Sequence, residues 1–175
     1  FLAAFFLVVI CGVVSAQNIQ LHYDFLRKPT DKDMFPRNYL TSTIEMFKPD
    51  KWGNTYFFVD IDYFSETEGN KGGVGQVYWE IARVLKADSW WLGAHVEYNG
   101  GLHQQFDLKN CWIFGLNRSG GNDKAGYTAY AGYRMLNGAK KFNWQVTGTW
   151  YWNITEKFSF TGYVDLFSEN VKGED

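Results

Sequence analysis

Hydrophobic and polar residues alternate with a period of two along almost the whole chain after residue 16. Ile19, Leu21, Tyr23 and Phe25 interleave with Gln20, His22 and Asp24; Leu40, Ile44 and Met46 oppose Thr41, Thr43 and Glu45. Phe57, Val59, Ile61 and Tyr63 oppose Phe58, Asp60 and Asp62, and Val77, Trp79, Ile81 and Leu85 oppose Tyr78, Glu80 and Ala82. Leu92, Ala94, Val96 and Tyr98 oppose Gly93, His95, Glu97 and Asn99, while Trp112, Phe114 and Leu116 oppose Cys111, Ile113 and Gly115. Tyr127, Ala129, Ala131 and Tyr133 oppose Thr128, Tyr130, Gly132 and Arg134. Phe142, Trp144, Val146, Trp150 and Trp152 oppose Asn143, Gln145, Thr147, Thr149 and Tyr151; Phe158, Phe160, Val164 and Leu166 oppose Ser159, Thr161, Tyr163 and Asp165. Such alternation predicts strands with two different faces, here about nine strands of roughly 7–11 residues. Turn signals such as Pro49-Asp50-Lys51-Trp52-Gly53 separate them. With no linker or low-complexity tract after residue 16, they make one all-β, antiparallel meander domain over 17–175.

Alternation alone fits a soluble sandwich and a membrane barrel equally. In the first the apolar face packs into a core; in the second it meets lipid, and the polar face lines a lumen. Two features favour the transmembrane β-barrel. Aromatic residues on the apolar parity gather towards strand ends, at Tyr23, Phe25, Tyr63, Tyr98, Tyr127, Tyr133, Trp150, Trp152 and Phe158, where headgroup-level girdles belong. The polar parity is poor in lysine, unlike most solvated sheet surfaces. Arg83 breaks the rule by sharing parity with Trp79 and Ile81, which predicts a snorkelling side chain at an interface or a bulge. With the N-terminus in the periplasm, the connections Leu26–Arg37, Ser65–Gln76 and Gly100–Gln105 onward read as long external loops, and Pro49–Asn54 and Ala87–Ser89 as short periplasmic turns. The order falters later, where Asn117–Lys124 is longer than Asn137–Lys141.

Phe1–Val14 is an unbroken apolar run closed by Val14-Ser15-Ala16, the form of a secretory signal peptide (1–16) cleaved after Ala16. That implies export to the bacterial outer membrane. The chain starts at Phe1 without a basic leading segment, so a clipped start is expected. The hydrophilic end, Lys172-Gly173-Glu174-Asp175, lacks the closing aromatic of a last barrel strand, and an odd strand count does not close an antiparallel barrel. A barrel incomplete at its C-terminus, with unpaired edges, is therefore expected. Composition agrees: 19% aromatic residues and a net charge of −2 exclude disorder and an electrostatic nucleic-acid binder. Beyond the signal, no apolar run nears the ~20 residues of a membrane helix. Cys111 is the one mature cysteine, so neither an internal disulfide nor a Cys/His zinc site is available.

Several segments resemble the nucleoside-specific channel-forming (Tsx-like) proteins of the outer membrane. They are Arg37-Asn38-Tyr39-Leu40, the run Glu45-Met46-Phe47-Lys48-Pro49-Asp50-Lys51-Trp52-Gly53, and Asp60-Ile61-Asp62-Tyr63. Trp79-Glu80-Ile81-Ala82-Arg83 and Glu97-Tyr98-Asn99-Gly100-Gly101 are similar to later segments of an uncharacterised branch of that superfamily. The likeness spans roughly Gln20 to Gly101. It implies a barrel of about 12 strands with a narrow polar and aromatic lumen that passes nucleosides, nine of those strands being visible here.

A nucleoside offers a flat base and a hydroxylated ribose, so a selective pore needs ring faces and hydrogen-bond acceptors. On the lumen parity, Phe58, Tyr78, Tyr130, Tyr151 and Tyr163 are candidates for stacking. Asp24, Glu45, Asp60, Asp62, Glu80, Glu97 and Asp165 are candidate acceptors, and His22, His95 and Arg134 complete the set. The competing reading of the same acids and Arg134 is a salt-bridged polar filling. His22 and His95 raise a lipid-modifying barrel enzyme, but no serine pairs with either, so no catalytic residue is assigned. Asp60-Ile61-Asp62 supplies too few ligands for calcium; no metal or cofactor is expected. Gly69–Gly75 lacks a following helix pattern and reads as a flexible external loop. The expected partners are outer-membrane lipid and small solutes. A non-conducting structural or adhesive barrel is the alternative to a passive channel.

Overall fold

The computed structural model describes residues 17–23, 39–67, 70–87, 89–139 and 141–170. The expected signal segment, Asp24 and Phe25 lie outside them. The described residues form nine strands and no helix: β1 Gln17–Tyr23, β2 Leu40–Asp50, β3 Gly53–Thr67, β4 Asn70–Leu85, β5 Gly93–His103, β6 Cys111–Gly121, β7 Ala125–Leu136, β8 Trp144–Thr155 and β9 Phe158–Phe167. They pair in chain order, each antiparallel to the next. The single sheet curls into a half-barrel. Among the described residues β1 and β9 pair on one side only.

One sheet with no second layer can bury side chains only on the inside of its curl. Along β5, His95, Glu97 and Asn99 are buried while Ala94 and Leu102 are exposed. Along β6, Cys111, Ile113 and Asn117 are buried while Trp112, Phe114 and Leu116 are exposed. The β8 pattern repeats this, with Gln145 and Thr147 inside and Trp144 and Val146 outside. The polar parity is therefore concave and the apolar parity convex, the reverse of a soluble half-buried sheet. A fully buried Leu or Phe is worth about 1.5–3 kcal/mol, and the convex face forfeits that repeatedly.

Strand lengths depart from expectation in three places. The segment Ser65–Gln76 is not a long loop: β3 and β4 run through it as a hairpin extension, and Gly72 and Gly73 adopt positive φ near its tip. The register shifts between Asp62 and Tyr63, and the extra residue, Gly75, lies under the Phe64 ring, where a Cβ would collide. The expected flexible loop over 69–75 is thus mostly strand. β6 continues to Gly121, leaving 122–124 as a tight connection against 137–143, so these two connections follow the expected short-then-long order. The 86–92 connection is longer than expected. Tyr98 is mid-strand rather than terminal, its ring 4.8 Å from that of Trp112.

The β2–β3 turn explains Arg83. Gly53 has φ 137°, and a Cβ there would meet the Val84 carbonyl oxygen at 2.0 Å, so glycine alone fits. Asp50 Oδ1 accepts from the Trp52 amide at 2.8 Å, and the Arg83 guanidinium donates to both Asp50 oxygens at 2.6 and 2.9 Å. Arg83 thus takes its charge off the apolar face by reaching to the turn. The Arg83 hydrogen bonds hold the exposed Asp50 carboxyl, at the turn tip, down at about 2. Its pKa is depressed on folding, so its stabilisation is present above the ordinary carboxylate range and is lost as pH falls from about 4 to about 2. Arg83→Gln is expected to raise Asp50 towards the ordinary range in a side-chain NMR titration, the Trp52 amide still holding it somewhat below, and to flatten that acid limb.

Candidate functional site

The inward face is built by side chains two apart on successive strands. Opposite Asp60 and Asp62 on β3 stand Thr43 and Thr41 of β2, and each threonine hydroxyl donates to its facing carboxylate. The same device recurs at the other edge, where Thr147 Oγ1 donates to Asp165 at 2.6 Å. Glu45 accepts from Asn18 Nδ2 and Gln20 Nε2 at 3.0 and 3.1 Å. Tyr78 donates its hydroxyl to Glu80 at 2.6 Å. The Tyr78 ring lies 5.9 Å from Phe58, which lies 6.1 Å from Tyr56.

At the centre, His95 and Glu97 are 4% and 3% exposed, with Nε2 3.0 Å from Oε2. The Tyr130 ring stacks on His95 with centroids 3.9 Å apart and planes at 16°. Two glycines make this contact possible. His95 faces Gly115, which faces Gly132, so no side chain stands between β5 and β7 on that row. A Cβ on Gly115 would meet the Ala131 carbonyl oxygen at 2.2 Å. Gln145 Nε2 bridges the Tyr130 and Thr147 hydroxyls at 3.0 and 3.2 Å. The network therefore runs continuously from Glu97 through His95, Tyr130, Gln145 and Thr147 to Asp165.

Arg134 lies apart from this chain. Its guanidinium sits 4.7 Å over the Phe167 ring, and Nη1 is 3.6 Å from Glu169 Oε2, an ion pair without hydrogen-bond contact. Glu97 Oε1, Asn99 Oδ1, His95 Nδ1 and Arg134 Nε and Nη1 are buried without hydrogen-bond partners. Next to the polar wall, Cys111, Ile113 and Leu136 form a small apolar cluster with Tyr130 and Ala139 against it.

Of the sequence candidates, Glu45, Phe58, Asp60, Asp62, Tyr78, Glu80, His95, Glu97, Tyr130 and Asp165 share this wall, with Arg134 at its β9 side. Tyr151 is exposed near a rim and donates to the Asn122 carbonyl at 2.7 Å. Tyr163 is 73% exposed on β9, and His22 is exposed on β1. Asp24 lies outside the described residues. Among the described residues no Arg or Lys pairs with a wall acid; the partners are Thr, Tyr, Asn and Gln donors, and the His95 ring lies at ion-pair distance from Glu97. Gln145 and Thr147 carry as much of the network as the charged residues, and Asn99 is buried beside it. Their inward parity was the one signal that marked them. Among the described residues no group of three or more His, Cys, Asp and Glu side chains is placed to hold a metal ion.

The sequence model of the family described as a domain of unknown function, DUF5020, matches residues 16–174. No curated protein and no solved structure matches the chain.

Proposed function

We propose that this chain, which belongs to the DUF5020 family, acts in the bacterial outer membrane as a β-barrel whose polar inner wall gives passive passage to nucleosides or similar small hydroxylated solutes. The observation that carries the reading is the inverted partition of the sheet. Glu97, His95, Asn99 and Gln145 are buried inside the curl while Leu116, Trp144, Phe114 and Val146 stand exposed outside it. A lipid environment removes the cost of that exposure, and a water-filled lumen removes the cost of the polar wall. Towards one set of turns the convex face carries Tyr127, Trp150, Trp152 and Phe158; towards the other it carries Tyr23, Tyr63, Trp112, Tyr133 and Trp144. Two aromatic bands towards the strand ends suit the two headgroup layers, although Tyr98 and Phe114 stand nearer the middle of the same face.

Nucleosides enter through the resemblance noted above and through the wall's mixture of ring faces, at Phe58, Tyr78 and Tyr130, with carboxylate and amide acceptors. The reading requires no cofactor and no energy coupling. One observation favours the non-conducting structural barrel: the Cys111, Ile113 and Leu136 cluster puts a buried apolar patch on the inner wall. Planar-bilayer recording of the full-length protein separates the two. Stepwise conductance that falls on adding adenosine or uridine is the expected result. A silent bilayer containing inserted, folded protein would establish the structural barrel instead.

A further inference from the structure

The inner wall is one-sided in charge. Leaving aside the β3–β4 extension beyond the bulge, its inward strand positions carry Glu45, Asp60, Asp62, Glu80, Glu97 and Asp165 against a single Arg or Lys, Arg134. None of those acids has an Arg or Lys partner among the described residues; the partners are hydroxyls, amides and the His95 ring. Arg134 offsets only one of these six acids; its Nε and Nη1 are buried without hydrogen-bond partners, and Nη1 lies 3.6 Å from Glu169 Oε2, outside the set. A second observation points to a ligand rather than to a merely acidic surface. Glu97 Oε1 and Asn99 Oδ1, on side chains more than nine-tenths buried, are acceptors left without donors at successive inward positions of β5.

From this we infer that the route selects for positive or neutral solutes carrying hydrogen-bond donors, passing small cations and nucleosides while rejecting anions such as nucleoside monophosphates. The inference rests on the channel reading and deepens it by assigning the charge class of the solute. An ionised carboxylate that accepts only from neutral donors has part of its hydrogen-bonding capacity satisfied and keeps its negative charge uncancelled. Rings of acidic side chains at close quarters select cations. Because mobile ions screen such fields over about 10 Å at 0.1 M and about 3 Å at 1 M, the preference weakens at high salt.

The test is the reversal potential of the full-length protein in planar bilayers under a KCl gradient, with adenosine and adenosine monophosphate as probes. Cation preference is expected, together with block by adenosine at concentrations where the monophosphate has no effect. Glu97→Gln and Asp165→Asn should each lower the K+ to Cl− permeability ratio by about twofold or more, and Arg134→Gln should raise it. Heat-modifiable gel mobility identifies folded variants; should Glu97→Gln not fold, Asp60→Asn carries the same comparison. Conduction without cation preference, or equal block by both probes, overturns the inference and leaves the channel standing. A folded, inserted protein that does not conduct overturns the channel reading, and this inference with it.

Discussion

Leu116→Arg is expected to destabilise the membrane-inserted protein by about 2–4 kcal/mol, the cost of a basic side chain near the midplane on the lipid face of a barrel. Leu116 is at the middle of β6, with Phe114 on the same face, and is 56% exposed. In a soluble protein, a substitution at so open a position changes stability by only about 0.5 kcal/mol. The two environments therefore assign the same substitution very different costs. Denaturant unfolding in lipid vesicles measures it, with Leu116→Ile as the volume-conserving control expected to be near neutral. A Leu116→Arg protein as stable as the parent would mean that this face meets water.

Glu97→Ala is expected to have a comparable effect from the other side of the sheet. The substitution removes the one carboxylate oxygen at hydrogen-bond distance from His95 Nε2, in a site where the Tyr130 ring covers the imidazole. Breaking a buried pair by deleting one partner costs about 3 kcal/mol, because the remaining group stays desolvated. Glu97→Gln keeps an oxygen at the same reach and should lose about 1 kcal/mol. The His95→Ala, Glu97→Ala double variant should be much less destabilised than the sum of the single changes, since both remove one interaction. Additive losses in unfolding experiments would show that the two residues act separately.

The faces of the sheet were legible in the sequence because side-chain direction alternates strictly with residue number. Parity alone groups His95, Glu97 and Tyr130 on one face; that this face is the inner one shows only in the curl of the sheet. Strand ends were less legible. Glycines over 69–75 read as a loop, yet Gly75 accommodates the bulge beneath Phe64, so the strand continues past it. Partners on the wall were not legible, because register depends on turn geometry. Nothing local to Tyr130 announces a stack on His95; it follows from Gly115 standing opposite Gly132 across β6 and β7. Nor did charge identify the network, since neutral Gln145 and Thr147 connect Tyr130 to Asp165. The apolar cluster at Cys111, Ile113 and Leu136 lies on the polar parity and was hidden by it.

The central claim, that the convex face lies in lipid and the concave face lines water, is tested most directly by spin-label accessibility in vesicles. One nitroxide is placed at a time, on Leu116→Cys and on Thr147→Cys, with Cys111 replaced. The Leu116 label should be relaxed strongly by dissolved oxygen and weakly by a water-soluble nickel chelate, as in a bilayer interior. The Thr147 label, buried on the inward face of β8, should show no such lipid signature. Equal exposure of the Leu116 label to the nickel chelate and to oxygen would contradict the account.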